Sequence, residues 1–185
     1  FFTPLTFRVR VSPPVRKAYD FIEALPEGSR VLVSFDYGPS QVAEIEPGAV
    51  AMLRHLFRRR MKVVSIALWP DAAPFAPRTF RRLSEEFRLR EGEDWVFLGY
   101  KYGGPTGSGV IEPMGTRFQE VWPYVTFYLD GGRTVPSREV PLLRDVGSYR
   151  DFRLLVTFSA GVPGIKEYLQ MANSRYRVPI IGSVS

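Results

Sequence analysis

An open α/β sandwich built on a parallel sheet is the fold this sequence predicts, and three observations predict it. Short apolar runs without polar alternation, RVLVSFD at 30–36 and KVVSIALW at 62–69, read as strands buried on both faces. Segments between such runs carry apolar residues at helical spacing. The two kinds alternate along the chain, and strands separated by helices pair in parallel through right-handed crossovers.

The elements follow in order. Ser12 before Pro13 and Pro14 marks a helix start, a side-chain cap followed by prolines whose fixed φ suits the first turn. Val15, Ala18, Tyr19, Ile22 and Leu25 continue it as an apolar stripe, and residues 26–28 (PEG) stop it. The first strand, 30–36, runs into the turn chemistry of YGPS. Pro47 opens a second helix with Val50, Leu53, Leu56, Phe57 and Met61 inward, and the second strand, 62–69, follows. Pro77 begins a third helix, with Phe80, Leu83 and Phe87 inward and Arg81, Arg82, Glu85 and Glu86 outward, before a third strand at 94–100.

There the rhythm breaks. Residues 101–150 form a long connection that opens with GGPTGSG; short helical turns are expected at 110–114, 116–121 and near 141–145, and a hairpin arm at 125–132. A connection this long inside a compact domain is usually a lid or binding loop. Regularity returns with a fourth strand at 153–158, a helix from 164 to about 176 with Ile165, Tyr168, Leu169 and Ala172 inward, and a fifth strand at 178–184.

The expected architecture is a single three-layer α/β/α domain, Rossmann-like or flavodoxin-like. Its open, mostly parallel five-stranded sheet has the order 3-2-1-4-5, with the insertion between strands 3 and 4. That order reverses between the first and fourth strands, and ligands in open α/β sheets bind beyond the carboxyl ends at such a point. Asp36, Tyr37 and Ser40 then form one wall of a crevice, Ser159, Gly161 and Gly164 the other, and Lys101 and Tyr102 reach in from the long connection. These eight are the candidate ligand-binding residues.

Their chemistry leaves several readings open. Ser159 in TFSAG is similar to the G-x-S-x-G nucleophile elbow, with Thr157 in place of the first glycine. The single histidine, His55, lies far upstream in the second helix, against the order a hydrolase triad needs, and Lys101 or Lys166 would be the substitute base. Ser159 is therefore a nucleophile, a ligand-contacting hydroxyl or helix cap, or a plain turn residue. SAGVPG could cradle a phosphate, since Gly161 and Gly164 free the backbone ahead of a helix amino end. It matches neither the dinucleotide fingerprint nor the P-loop, and Pro163 removes one donor, so a tight strand–helix turn is the alternative.

Asp36 could accept a hydroxyl, hold a cation or act as a base; otherwise it is a turn aspartate before Gly38 and Pro39. Asp71 could approach it, but two carboxylates without histidine make a weak metal case, and no metal is expected. The cofactor is unknown. Arg58, Arg59 and Arg60 close a helix, where cations complement the dipole. No nucleic-acid signature is present and no nucleic-acid partner is expected.

Composition narrows the classes further. The 185 residues are 45% hydrophobic and 24% charged, which argues for a globular domain rather than disorder. No apolar run reaches the length of a membrane span. The net charge is +6, with only four lysines, Lys17, Lys62, Lys101 and Lys166, among 25 basic residues. Arginine favours anionic partners, an acidic small molecule among them, although a GC-rich or heat-adapted genome writes the same bias. The absence of cysteine excludes disulfides, thiolate metal sites and cysteine nucleophiles. The chain opens on Phe1, without methionine, and stops at Ser185 as a strand-like run finishes; both read as a domain within a longer protein.

SPPVRKAYDFIEALPEGSRVLVSFDYGPS, LRDVGSYRDFRLLVTFSAGVPGIKEYL and RYRVPIIGSVS together resemble an uncharacterised bacterial family of membrane-anchored proteins, in which a soluble α/β domain sits beside transmembrane helices. The resemblance spans about two-thirds of the chain and brings no catalytic motif. It implies tethering through flanking segments, with Phe1 and Phe2 trailing a preceding span. The domain would lie outside the cytoplasm, the cytoplasm being the alternative. The expectation is thus a non-enzymatic ligand-binding or interaction domain. The alternatives are a hydrolase or transferase acting on an anionic small molecule through Asp36 and Ser159, and a structural module without ligand. Ligand identity and oligomeric state stay open.

Overall fold

The structure is a computed structural model that describes residues 11–185; Phe1 and Phe2 lie outside the described residues. In chain order its principal elements are α1 (Pro13–Glu23), β1 (Arg30–Asp36), α2 (Val42–Arg58), β2 (Lys62–Ala67), α3 (Phe75–Phe87) and β3 (Trp95–Tyr100). Then come α4 (Ser108–Ile111), α5 (Phe118–Val121), β4 (Tyr124–Thr126), β5 (Thr134–Pro136), β6 (Leu154–Ser159), α6 (Ile165–Tyr168), α7 (Ser174–Tyr176) and β7 (Ile180–Val184). A π-helical segment, Leu169–Asn173, joins α6 to α7.

The buried apolar runs build the middle layer. Five strands lie parallel in the order β3-β2-β1-β6-β7, which is the order expected from the alternation of strands and helices. Side chains alternate across the sheet. Val31, Val33, Phe35 and Tyr37 of the first strand and its extension face α2 and α3, where Leu53, Leu56, Phe57, Phe80 and Leu83 meet them. Phe80 stacks on Trp95 with ring centroids 4.5 Å apart.

The opposite face corrects the expectation of a lid. Residues 101–150 are packed into the molecule. They supply Val110, Ile111, Met114, Phe118, Trp122, Val125, Leu142, Leu143 and Tyr149 to a core with Leu32, Val64, Val96 and Leu155. Short helical turns and the antiparallel β4–β5 pair therefore do the work of a covering helix layer. The expected turn near 141–145 is hydrogen-bonded turn rather than helix, with a 3-10 turn at Ser137–Glu139 just before it.

Helix starts also move. Pro47 lies inside α2, which begins at Val42 directly off the Pro39–Gln41 3-10 turn, and α3 begins at Phe75 ahead of Pro77. Pro77 sits in the first turn of α3, where the missing N–H of proline costs no helical hydrogen bond, whereas Pro47 lies inside α2 and removes one. Ser12 is the N-cap residue of α1, but its side chain makes no capping hydrogen bond. No helix of the described residues is long and apolar enough to cross a membrane.

Candidate functional site

The topology brings Asp36 and Ser159 together, since the two are register partners across β1 and β6. Both project to the face covered by the insertion, along with Ser34 and Thr157 one step earlier in each strand. Asp36 is fully buried. Its carboxylate accepts the Leu68 N–H at 2.9 Å and the Thr157 hydroxyl at 3.5 Å. Burial pushes the Asp36 carboxyl up to about 7, against the lowering effect of hydrogen bonds from Ser34, Leu68 and Thr157, and the nearby charge of Glu167 adds to the rise. Tyr168 completes the cluster by donating its hydroxyl to Ser34 Oγ at 2.8 Å. Burial first, and the Asp36 charge second, raise the Tyr168 phenol well above its ordinary range.

Ser159 acts as a cap. Its Oγ accepts the Ile165 N–H at 3.3 Å, and the neighbouring Gly164 N–H goes to Glu167 Oε2 at 2.8 Å. Two of the donors that a phosphate would need, the Gly164 and Ile165 N–H groups, are thus taken up within the turn. Gly164 is required by close approach: a Cβ there would lie 2.9 Å from that of Ser159. His55 is no partner for the serine. It sits on α2, stacks on Tyr19 at 4.5 Å and bonds Glu23 at 2.7 Å.

The mouth of the expected crevice is closed. Trp69 Nε1 donates to the Pro163 carbonyl at 3.0 Å, and its ring covers Gly161, where a Cβ would come within 3.1 Å. Gly107, at φ +68°, fits beneath Pro163 and Leu68, at 2.8 and 3.2 Å from where its Cβ would be. Asp36, Ser159, Gly161 and Gly164 therefore meet as expected, but in a packed junction. The remaining candidates go elsewhere. Tyr37 is buried on the opposite face against Phe75, its hydroxyl without a partner among the described residues. Ser40 is exposed at the turn after β1, and Tyr102 is 69% exposed. Lys101 turns into the insertion, donating to the Val121 carbonyl with its ammonium 5.0 Å from the Trp122 ring. Among the described residues no cluster of three or more His, Asp or Glu is arranged to hold a metal.

A cavity of about 1010 Å³ lies elsewhere, and its lining is mainly apolar. At its floor lie Val156 and Phe158 of β6, both buried, and Ile181 and Ser183 of β7, both partly exposed. One wall is α2, through Gly48, Ala51, Met52 and His55; the other is α1, through Pro14, Val15, Ala18, Tyr19 and Ile22. The reason it is open is local. The stripe of α1 has the amphipathic spacing of a core helix, but only Ile22 is buried, while Val15 is 59% and Tyr19 54% exposed. The helix is fixed at its carboxyl end, where His55 and Arg59 bond Glu23, and stands away from the sheet toward its start. Lys17, Arg54 and Arg58 edge the groove, with Glu23 at its closed end.

The sequence assigns no place in a site to Glu167, Trp69 or the groove residues, and it reads the α1 stripe as core. A glutamate three residues after Gly164 was the available sign of a capping box; a stripe alone could not show that α1 stays bare. No protein-family model matches the chain, and no curated protein and no solved structure matches it either.

Proposed function

We propose that the chain is a non-catalytic interaction domain whose binding surface is the groove between α1, α2 and the β6–β7 face, and that the groove takes up an amphipathic α-helix. The carrying observation is a large apolar slot whose floor is sheet and whose walls are helices. A three-layer sandwich covers both faces of every strand; here β6 is buried throughout, while β7, at the edge of the sheet, keeps part-exposed residues beside the groove. A helix laid beside α2 over β7 completes the layer. This is the helix-in-groove mode of recognition, in which apolar residues at i, i+3, i+4 and i+7 fill the slot. Burying apolar surface contributes about 25 cal/mol per Å². Lys17 and Arg58 on the rim favour acidic residues beside the apolar stripe of the incoming helix, Arg54 being held by Glu86 of α3.

The closed strand ends support the same reading. Asp36 accepts from Leu68 and Thr157, and Ser159 accepts from Ile165, so the bonds each makes go to neighbours rather than to one another. Membrane tethering, implied by the sequence resemblance, belongs to this proposal as the means of keeping the domain near its partner, because a tether raises effective concentration.

A fluorescent Leu/Glu amphipathic helical peptide is a suitable probe, read by anisotropy. Ala51→Trp fills the groove from an exposed position of α2. Binding by the unaltered chain, weakened at least tenfold in Ala51→Trp, is the expected result. Absence of binding, or equal binding by both, contradicts the proposal.

A further inference from the structure

We propose that the cleft at the amino edge of the sheet, about 740 Å³ in volume, binds a small anion bearing two phosphate groups, held by Arg30, Arg150 and Arg153 with Lys62 beside them. The cleft lies at the opposite end of the strands from Asp36 and Ser159, and its role does not depend on the groove being a helix-docking surface.

A row of like charges carries the argument. Arg30 opens β1 and is the register partner of Lys62, which opens β2. Arg153 stands one residue before Leu154, the partner of Val31, and its N–H donates to the Arg30 carbonyl at 2.9 Å. Register partners on parallel strands point to the same face, and neighbouring strands lie about 4.8 Å apart. Leu32, Val64 and Leu155, two residues further along each strand, belong to the core under the insertion. The three cations therefore project together to the insertion side. There Pro141 and Leu142 line the cleft, and Arg150 comes in from the 3-10 turn Tyr149–Asp151.

Like charges on neighbouring strands are destabilising, and the carboxylates present relieve little of this. Lys62 bonds Asp94 of the adjoining chain segment at 2.8 Å. Arg30 reaches only Asp145, at 4.0 Å and with that side chain 79% exposed, where an ion pair contributes little. The three acids that line the cleft are engaged: Glu27 pairs with Arg60, Glu93 with Arg90, and Asp151 accepts the N–H groups of Gly147 and Ser148. Arg150 and Arg153 make no ion pair among the described residues. Nor does the end of α1 require these cations, since Arg59 takes the Glu23 and Leu25 carbonyls.

The arginines indicate the ligand. A guanidinium is a planar fork that matches phosphate oxygens two at a time. Two forks on adjacent strands, with a third from Arg150, suit two adjoining phosphate groups. No aromatic side chain lines the cleft among the described residues, so nothing there stacks on a base and recognition rests on the phosphates.

Inorganic diphosphate is the probe, titrated calorimetrically into the chain at about 0.05 and 0.15 M salt. The variant is Arg150→Gln with Arg153→Gln, both at exposed positions; Arg138→Gln, exposed and outside the cleft, is the control. Expected are one site per chain, a Kd below about 100 μM at the lower salt, and orthophosphate at least tenfold weaker. The double variant binds diphosphate at least tenfold more weakly, and Arg138→Gln less than twofold. Thermal unfolding supplies the second readout. Diphosphate raises the midpoint of the unaltered chain; the double variant, relieved of like charge, unfolds no earlier without the anion and is not shifted by it. Absence of saturable binding, orthophosphate binding as tightly as diphosphate, or equal weakening in Arg138→Gln overturns the proposal. So does a double variant that unfolds earlier without the anion, since the arginines would then serve the fold.

Discussion

Asp36 shows how much one residue can be asked to bear. A carboxyl lifted from its ordinary 3.8 to about 7 by burial is destabilising once ionised. The folded state holds the proton more tightly than the unfolded chain, so the penalty is absent below about pH 4, grows between the two values and is complete above 7. The interval of roughly three pH units corresponds to about 4 kcal/mol. Asp36→Asn keeps an acceptor for the Leu68 N–H and removes the titration. Its stability relative to the unaltered chain, measured by urea unfolding from pH 4 to 8, is expected to rise steadily toward pH 7 and then level off; a pH-independent difference would sink this reading. Gly107→Ala is the matching test of closure, since it places a Cβ 2.8 Å from Pro163 at positive φ. A loss of about 1–3 kcal/mol is expected from such overpacking, read in the same unfolding experiment.

That Asp36 would stand beside Ser159 was legible in the sequence, because both end apolar runs whose strands the topology makes neighbours. That the space between them would be shut was not legible. It depends on Trp69, Gly107 and Pro163, three residues from separate connections, whose meeting no local pattern records.

At the scale of elements, the insertion and α1 exchange the roles the sequence suggests for them. Residues 101–150 have the length and glycine content of a mobile connection, yet Trp122 is almost wholly buried and its indole N–H faces Met114 Sδ at 3.2 Å. Trp122→Ala is expected to cost about 3–5 kcal/mol, as for a core aromatic; a cost near zero would restore the lid. Apolar residues here fall on four-residue helical turns and a hairpin of two three-residue strands, too short for a period to emerge. α1 fails in the opposite sense. Its stripe is regular, but periodicity reports that a helix has an apolar face and says nothing of what covers it. The start near Pro77 moved upstream because proline is tolerated anywhere in the first turn; α2 runs through Pro47 although proline there removes a helical hydrogen bond.

Across the whole molecule the alternation of buried runs and amphipathic segments determined the sheet order, since right-handed crossovers leave few alternatives. The proposed binding surface lies on the flank where α1 leaves its stripe exposed beside α2 and the edge strand β7. Two sites thus compete for the functional role, the strand ends and the groove, and amide hydrogen exchange separates them. With the Leu/Glu amphipathic peptide added to dilute chain, residues 14–22 of α1, 48–55 of α2 and 180–184 of β7 are expected to gain protection. Protection appearing instead at 36–40 and 159–164, with α1 and β7 unchanged, would contradict the groove as the docking surface.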